Sequence, residues 1–259
     1  MTTGAPTLAL TRAISPRLAA CELTHLVRAP IDLGRARAQH RRYEALLREL
    51  GCRVERIEPA PEHPDSVFIE DTAVVLDEVA VIARPGAASR RGEVAAVEAR
   101  LAELTPIRRI EAPATLDGGD VLVAGRRVFV GRTARTDDAG IAQLAAILEP
   151  FGYQTRGVEV RGCLHLKTAA TAIADDAVVV QPEWIGPATL DGLEIVEVDP
   201  AEPFAANVAR IGEALMMPEA FPRTRARLEA RGHRVHAVAA DELAKAEGGV
   251  TCCAILVRA

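Results

Sequence analysis

One pattern recurs five times along this chain and limits what it can fold into. Each unit holds a short strand, a polar loop and two apolar runs split by a turn, and most add an amphipathic stretch. The strand-like stretches are Arg53–Ile57, Ile107–Glu111, Gly157–Val160, Glu194–Val198 and Arg234–Val238. Most follow segments with apolar residues every three or four positions, namely Ala36–Leu50, Glu93–Leu104, Ala139–Phe151 and Arg223–Ala230, which predicts helices. Gly51, Gly152 and Gly232 stand at helix stops just before a strand begins. The paired apolar runs are Ala73–Leu76 with Val79–Ala83, Val121–Ala124 with Val128–Val130, Ala169–Ile173 with Ala177–Val180, and Val208–Ile211 with Ala214–Met217. Splits at Asp77-Glu78, Gly125-Arg126 and Asp175-Asp176 suit tight hairpin turns. A fifth run, Thr251–Val257, has no local partner; Thr7–Ile14 supplies one if the chain ends meet.

Repetition of a small mixed α/β unit, closed by both termini, points to a ring, because a ring leaves no sheet edge open. The same elements permit a doubly wound α/β sheet, but the repeat favours the ring. No linker rich in Pro, Gly or Ser divides the chain, so one domain over residues 1–259 is expected.

Composition narrows the function classes. A net charge of −5, from 31 Lys+Arg against 36 Asp+Glu, offers no basic field for a polyphosphate backbone and argues against a nucleic-acid partner. No apolar run approaches the ~20 residues a membrane helix needs. Met1–Ala20 lacks the apolar segment of a signal peptide, while a transit peptide stays open because the first acidic residue is Glu22. The five cysteines, Cys21, Cys52, Cys163, Cys252 and Cys253, are odd in number and irregularly spaced, which argues against a disulfide framework. No C-x-x-C or His-rich spacing suggests structural zinc, and a reducing cytoplasm is the natural compartment.

In a ring, equivalent loops emerge on one face, and here those loops hold the reactive residues. They carry Asp65, Glu70 and Asp71; Leu116-Asp117-Gly118-Gly119-Asp120; Leu164-His165-Leu166-Lys167; Ala205-Ala206-Asn207; and Gly248-Gly249-Val250-Thr251-Cys252-Cys253. Cys252 is the candidate nucleophile, with two glycines upstream that allow close approach of a ligand. Cys253, Cys21, Cys52 and Cys163 read as core residues, and His25, His40, His63, His233 and His236 read as surface groups. Lys167, one of two lysines, reads as a salt-bridge partner. His165 gains interest from its loop equivalence to Cys252. Clustered carboxylates repel one another unless a cation enters. A planar guanidinium suits them better than a metal, because two carboxylates can take its forked donors. An amino-acid ligand would further need a cation for its carboxylate, and arginine supplies a bidentate one.

With Arg84-Pro85-Gly86 through Ser89-Arg90-Arg91-Gly92-Glu93, and Arg132-Thr133-Ala134-Arg135-Thr136, these motifs resemble the dimethylarginine dimethylaminohydrolase family. That family lies in the guanidine-modifying superfamily of arginine deiminases and amidinotransferases. The likeness runs from about Leu23 to Val257 in the family's order. It implies a five-bladed α/β propeller of ββαβ units closed by both termini, in agreement with the repeat. It implies Cys252 as nucleophile, His165 as general acid and base, and Asp117 as a hold on both guanidinium and His165. Asp71 would grip the guanidinium beside Glu70. Arg90 and Arg135 would bind the substrate carboxylate, and Leu23 and Asp65 the amino-acid end. Asp117 stands where the family has Glu or Asp. The implied activity is hydrolysis of methylated arginine to citrulline, with no metal and no cofactor. The implied partner is a small-molecule substrate, with monomer and homodimer both open. The alternatives are deimination of plain arginine, a non-catalytic binding propeller for cationic amino acids, and a zinc hydrolase. Ala19–Arg28 is a candidate lid.

Overall fold

The recurring unit folds as a three-stranded sheet, five times over. The computed structural model describes residues 7–258. Met1–Pro6, part of the stretch read for a signal peptide, and Ala259 lie outside the described residues. In chain order the elements are β1 (Leu8–Thr11), α1 (Leu33–Glu49), β2 (Arg53–Arg56), β3 (Ala73–Val75), β4 (Ala80–Ile82), α2 (Val94–Ala102), β5 (Ile107–Arg109), β6 (Val121–Ala124), β7 (Arg127–Arg132), α3 (Asp138–Leu148) and β8 (Gln154–Glu159). Then follow α4 (Leu166–Ala169), β9 (Ala170–Ala172), β10 (Ala177–Val180), β11 (Glu194–Glu197), β12 (Ala209–Ile211), β13 (Ala214–Pro218), α5 (Pro222–Glu229), β14 (Arg234–Val238), α6 (Asp241–Ala244) and β15 (Ile255–Val257).

Every blade is built alike: the inner strand pairs antiparallel with the middle one, and the middle strand pairs parallel with the outer one. The blades are β3-β4-β5, β6-β7-β8, β9-β10-β11, β12-β13-β14 and β15-β1-β2. The last joins the two chain ends, with Leu8 opposite Val257 and Leu10 opposite Ile255. Parallel middle-to-outer pairing needs a crossover, which α1, α2, α3 and α5 supply. In the third blade a 3-10 turn, Pro187–Leu190, takes that place. All five inner strands face one central cavity of about 850 Å³. The architecture is a five-bladed α/β propeller. No helix among the described residues is long and apolar enough to cross a membrane.

Local chemistry explains the elements. Asp32 caps α1 by accepting the Arg35 N–H at 3.0 Å, a contact worth about 1 kcal/mol. The helix stops at Gly51, whose φ of 92° suits glycine. Asp137 caps α3 through the Gly140 N–H at 2.7 Å and also accepts the Thr115 N–H at 3.2 Å, so the cap pins the loop that carries Asp117. Ile141, Leu144 and Leu148 of α3 pack on Val81, Val121, Val128 and Val130 between two blades. Each such leucine contributes roughly 1.5–3 kcal/mol.

Two sequence expectations change. Thr251–Ala254 is turn and coil, and only Ile255–Val257 is strand, so Cys252 lies in the loop that precedes the inner strand. The inner strand is cut short because Thr251 and Cys252 bond to neighbouring loops rather than to a strand. His40 is buried, not a surface group: it lies on the inward face of α1 beside Glu44, its Nε2 has no partner among the described residues, and burial pushes it down to about 4.

Candidate active site

The five connections from an outer strand to the next inner strand are topologically equivalent, and they bring residues remote in sequence into contact. The first contains Asp65, Glu70 and Asp71, the second Asp117, the third His165, the fourth Asn207 and the fifth Cys252.

The fifth loop is tied directly to two of the others, the first and the fourth, and through the fourth to the third. Cys252 Sγ accepts the Gly249 N–H at 3.3 Å, and the Cys252 carbonyl accepts the Glu70 N–H at 3.1 Å. The Thr251 hydroxyl donates to Glu70 Oε2 at 2.8 Å and accepts from Asn207 Nδ2 at 3.0 Å. Asn207 Oδ1 accepts the Thr251 N–H at 3.1 Å, and Asn207 Nδ2 also donates to the Lys167 carbonyl at 3.0 Å. The Cys252 thiol is pushed up to about 12, first by burial, then by the charges of Glu70 and Asp71, against the pull of the Gly249 N–H.

His165 sits at the head of α4, with Nε2 3.1 Å from Asp117 Oδ2 and Nδ1 3.7 Å from Asp71 Oδ1. Burial disfavours its charge, but Asp71, Asp120 and Asp117 outweigh burial and raise it to about 9. It is an imidazolium at neutral pH, so its Nε2–H donates to Asp117. Asp117 Oδ1 accepts the Gly86 N–H at 2.9 Å, which fixes the carboxylate from its other side. Close approach explains Gly118-Gly119: a Cβ on Gly118 would lie 2.1 Å from the Glu70 carbonyl. One on Gly119 would lie 2.6 Å from Asp71 Oδ1 and 2.7 Å from His165 Nδ1.

Asp71 is the hub. Its Oδ1 accepts the Gly119 N–H at 3.1 Å, and its Oδ2 pairs with Arg90 Nη1. Burial would raise this carboxyl, but His165 and Arg90 hold it below its ordinary value. Arg90 is itself enclosed: Nε and Nη2 grip Glu93 at 3.2 and 2.8 Å, and Nη2 also donates to the Phe68 and Asp65 carbonyls. Arg135, also buried, makes no side-chain hydrogen bond among the described residues and stands 3.9 Å from Asp117. Of the two arginines read from the sequence, Arg135 therefore has open donors and Arg90 is largely committed.

The remaining expected positions are also placed. The Glu70 carboxylate bonds Lys167 at 2.5 Å and Thr251, so it faces the axial cavity rather than a ligand beside Cys252. Lys167 is thus a salt-bridge partner. Asp65 is buried, accepts the Glu22 N–H at 3.1 Å and is lifted by burial to about 6. Leu23 is half-buried on a loop lying next to Asp65. Sequence reasoning passed over Glu93, although its spacing three residues after Arg90 is a helical-turn pairing signal. It also passed over Asp120 as an orienter: this buried carboxylate takes both the Thr133 and Thr136 hydroxyls at 2.7 Å and the Leu166 N–H at 2.9 Å.

The buried acids Asp65, Asp71, Glu93, Asp117 and Asp120 outnumber by one the buried cations Arg12, Arg90, Arg135 and His165. Such an excess is stable only with a further cation or with protons held on some of the acids. Asp71, Asp117 and His165 also bring one ligand atom each within 4.8 Å of one another, a set able to hold a metal ion. A metal there would compete with the proton on His165, because a ligating imidazole must give up its proton.

Comparison with known proteins bears on the family. A family model described as arginine deiminase matches residues 57–208. A Streptomyces coelicolor protein named N(G),N(G)-dimethylarginine dimethylaminohydrolase is 41% identical over 252 residues, 96% of each chain. This chain belongs to the dimethylarginine dimethylaminohydrolase family. Among solved structures, the Pseudomonas aeruginosa dimethylarginine dimethylaminohydrolase, as a cysteine-to-serine mutant complexed with citrulline, superposes with a TM-score of 0.92. It is 32% identical and covers 97% of this chain and 99% of its own. A histidine-to-glycine dimethylarginine dimethylaminohydrolase, as an adduct with S-methyl-L-thiocitrulline, gives 0.91 at 31% identity with the same coverage.

Proposed function

We propose that this protein hydrolyses Nω-methylated L-arginine to citrulline and the corresponding methylamine through a covalent intermediate on Cys252. The observation that carries the reading is the Asp71–His165–Asp117 cluster, a buried excess of negative charge beside a buried thiol in a member of this family.

In the free protein Cys252 is a thiol and His165 an imidazolium. A guanidinium entering between Asp71 and Asp117 adds a positive charge beside the sulfur, lowers its pKa and drives its proton to solvent. The carboxylates hold the resonance-stabilised carbon in a near-attack pose. The thiolate forms a C–S bond, and His165 gives its proton to the methylated nitrogen. The C–N bond then breaks, releasing dimethylamine and leaving a thiouronium. Neutral His165 next takes a proton from water as the oxygen attacks the same carbon. Collapse breaks the C–S bond and the second proton from the attacking water passes to the leaving sulfur, yielding citrulline, the Cys252 thiol and a restored imidazolium. Arg135, joined by the remaining Arg90 donor, takes the substrate carboxylate, while Leu23 and Asp65 meet its amino end. Glu70 acts from behind Cys252, through Thr251.

No step requires a metal or cofactor, so a chelator should leave turnover intact. We assign the activity to a single propeller domain in the cytoplasm, consistent with five unpaired cysteines, acting as a monomer or homodimer. The match to the arginine deiminase model favours a second reading, deimination of plain arginine with ammonia as the leaving group. Parallel citrulline assays separate them: the first reading predicts higher kcat/KM for asymmetric dimethylarginine, and preference for arginine overturns it.

A further inference from the structure

The stretch from Glu22 to Pro30 is exposed at every residue except half-buried Leu23, and Val27 presents 93% of its surface to solvent. Apolar burial does not hold such a segment down. Apart from Leu23, which packs against the core, its contacts with the body are polar and gather at two carboxylates. Glu247 Oε1 accepts the backbone N–H groups of His25 and Leu26 at 2.5 and 2.6 Å, and Oε2 accepts that of Thr24 at 2.9 Å. Asp65 accepts the N–H of Glu22, and the Ser89 hydroxyl donates to Glu22 Oε1 at 2.7 Å. Leu23 lies between these two anchor points. Arg28 folds the segment back on itself by donating to the Ala19 and Cys21 carbonyls, both at 2.6 Å.

Glu247 is also part of the nucleophile loop. It is the one non-glycine residue with positive φ, 57°, among those described, a conformation that a side-chain residue adopts only when its surroundings impose it. Gly248 and Gly249 follow it directly and are packed without slack. A Cβ on either would lie 2.1 Å from the Phe68 ring or 2.2 Å from Asn207 Oδ1. The Gly249 N–H is the donor to Cys252 Sγ. The packing of Gly248 and Gly249 holds the loop at the sulfur by itself, and the Glu247 carboxylate reaches out from that fixed loop to the segment.

We propose that Glu247 is a positioning residue that clasps the Glu22–Arg28 flap by its backbone and so fixes Leu23 at the amino end of the ligand. This assignment rests on the proposed reading of Leu23, but the clasp itself does not. A single carboxylate taking three N–H groups makes a charge-assisted hold. Its loss frees the flap without touching the groups that carry out bond making and breaking.

The test is hydrogen exchange by mass spectrometry on the full chain, beside steady-state kinetics with asymmetric dimethylarginine. In Glu247→Ala, exchange across Thr24–Leu26 should quicken by about tenfold or more, since charge-assisted bonds of this kind are each worth about that factor. Exchange in the β10 peptide should stay unchanged. KM should rise about tenfold with kcat within about threefold, the signature of lost binding rather than lost chemistry. Glu247→Asp should recover part of both effects. Glu247→Gly, which suits the positive φ and guards against a folding failure in the alanine variant, should behave like Glu247→Ala. Unchanged exchange at Thr24–Leu26 in the alanine and glycine variants would overturn the clasp. Faster exchange with unchanged KM would overturn the link to Leu23. Faster exchange in a protein inactive on methylated arginine would uphold the clasp and fault the substrate assignment instead.

Discussion

The five inner strands end very differently at the two ends of the propeller. At one end they run into short hairpin turns and the joined termini, and the cavity mouth there carries Asp77, Arg126, Asp175, Arg210 and Arg258. Most of those charges form largely exposed pairs, Arg126 with Glu78, Arg210 with Asp175 and Arg258 with Asp77, and Glu213 stands beside them. At the other end the strands begin from long loops whose charges are buried and unequal, with acids in excess around His165. Exposed matched pairs are worth little and cost little. Buried unmatched charge persists only where the fold over-determines it, here with hydrogen bonds from Gly86, Gly119, Leu166 and two threonines. The contrast singles out the end proposed above to carry the chemistry, although both ends are rich in charge.

The sharpest way to break the contrast is at the sulfur. Cys252→Ser should lower turnover by about 10⁴-fold or more, whereas Cys253→Ser, whose thiol donates to the Gly249 carbonyl, should stay within about threefold. Equal losses, read as citrulline release, would remove Cys252 from its role. A smaller effect of about 10²–10³ in kcat/KM is expected for Asp71→Asn or Asp117→Asn, since each leaves His165 or the guanidinium short of a charge. Lys167→Met leaves the Glu70 charge uncompensated behind the nucleophile. The pH midpoint for alkylation of Cys252 by iodoacetamide should therefore move upward, and a downward move would contradict the placement of Glu70.

Two weaker effects bear on stability. Folding raises His165 from 6.5 to about 9, so its stabilising contribution is complete below pH 6.5 and lost as pH rises through about 9. The wild-type Tm should accordingly fall between pH 6.5 and 9.5 more steeply than that of His165→Gln. Asp71, held low, acts in the opposite window, contributing above pH 3.8 and losing its effect as pH falls. The smallest effect lies at the far mouth, where Arg210→Ala should change stability by about 0.5 kcal/mol or less and leave turnover unaltered.

Much of this was legible in the sequence because the repeat is local. Alternating apolar runs, turn pairs at Gly125-Arg126 and helix stops at Gly51, Gly152 and Gly232 are short-range signals, and each sits where the spacing predicts. The equivalent loops, and hence the meeting of Asp71, Asp117 and His165, followed from the repeat once the ring was inferred. What stayed hidden depends on contacts between distant residues. Nothing near Glu247 signals that its carboxylate meets Thr24, His25 and Leu26. The commitment of Arg90 to Asp71 and Glu93, against the open donors of Arg135, is likewise invisible until the loops are folded together. The turn at Cys252 was obscured by the apolar run around it, because its hydrogen bonds go to Glu70 and Asn207 rather than along a strand.

The central claim is that Cys252 attacks a guanidinium carbon. Acid quenching during turnover of asymmetric dimethylarginine, followed by digestion and mass analysis of the peptide holding Cys252, tests it most directly. The account predicts that peptide carrying the substrate less dimethylamine, attached at Cys252 and absent from Cys252→Ser. Citrulline accumulating while Cys252 stays unmodified, or the same mass found on Cys253, would contradict it.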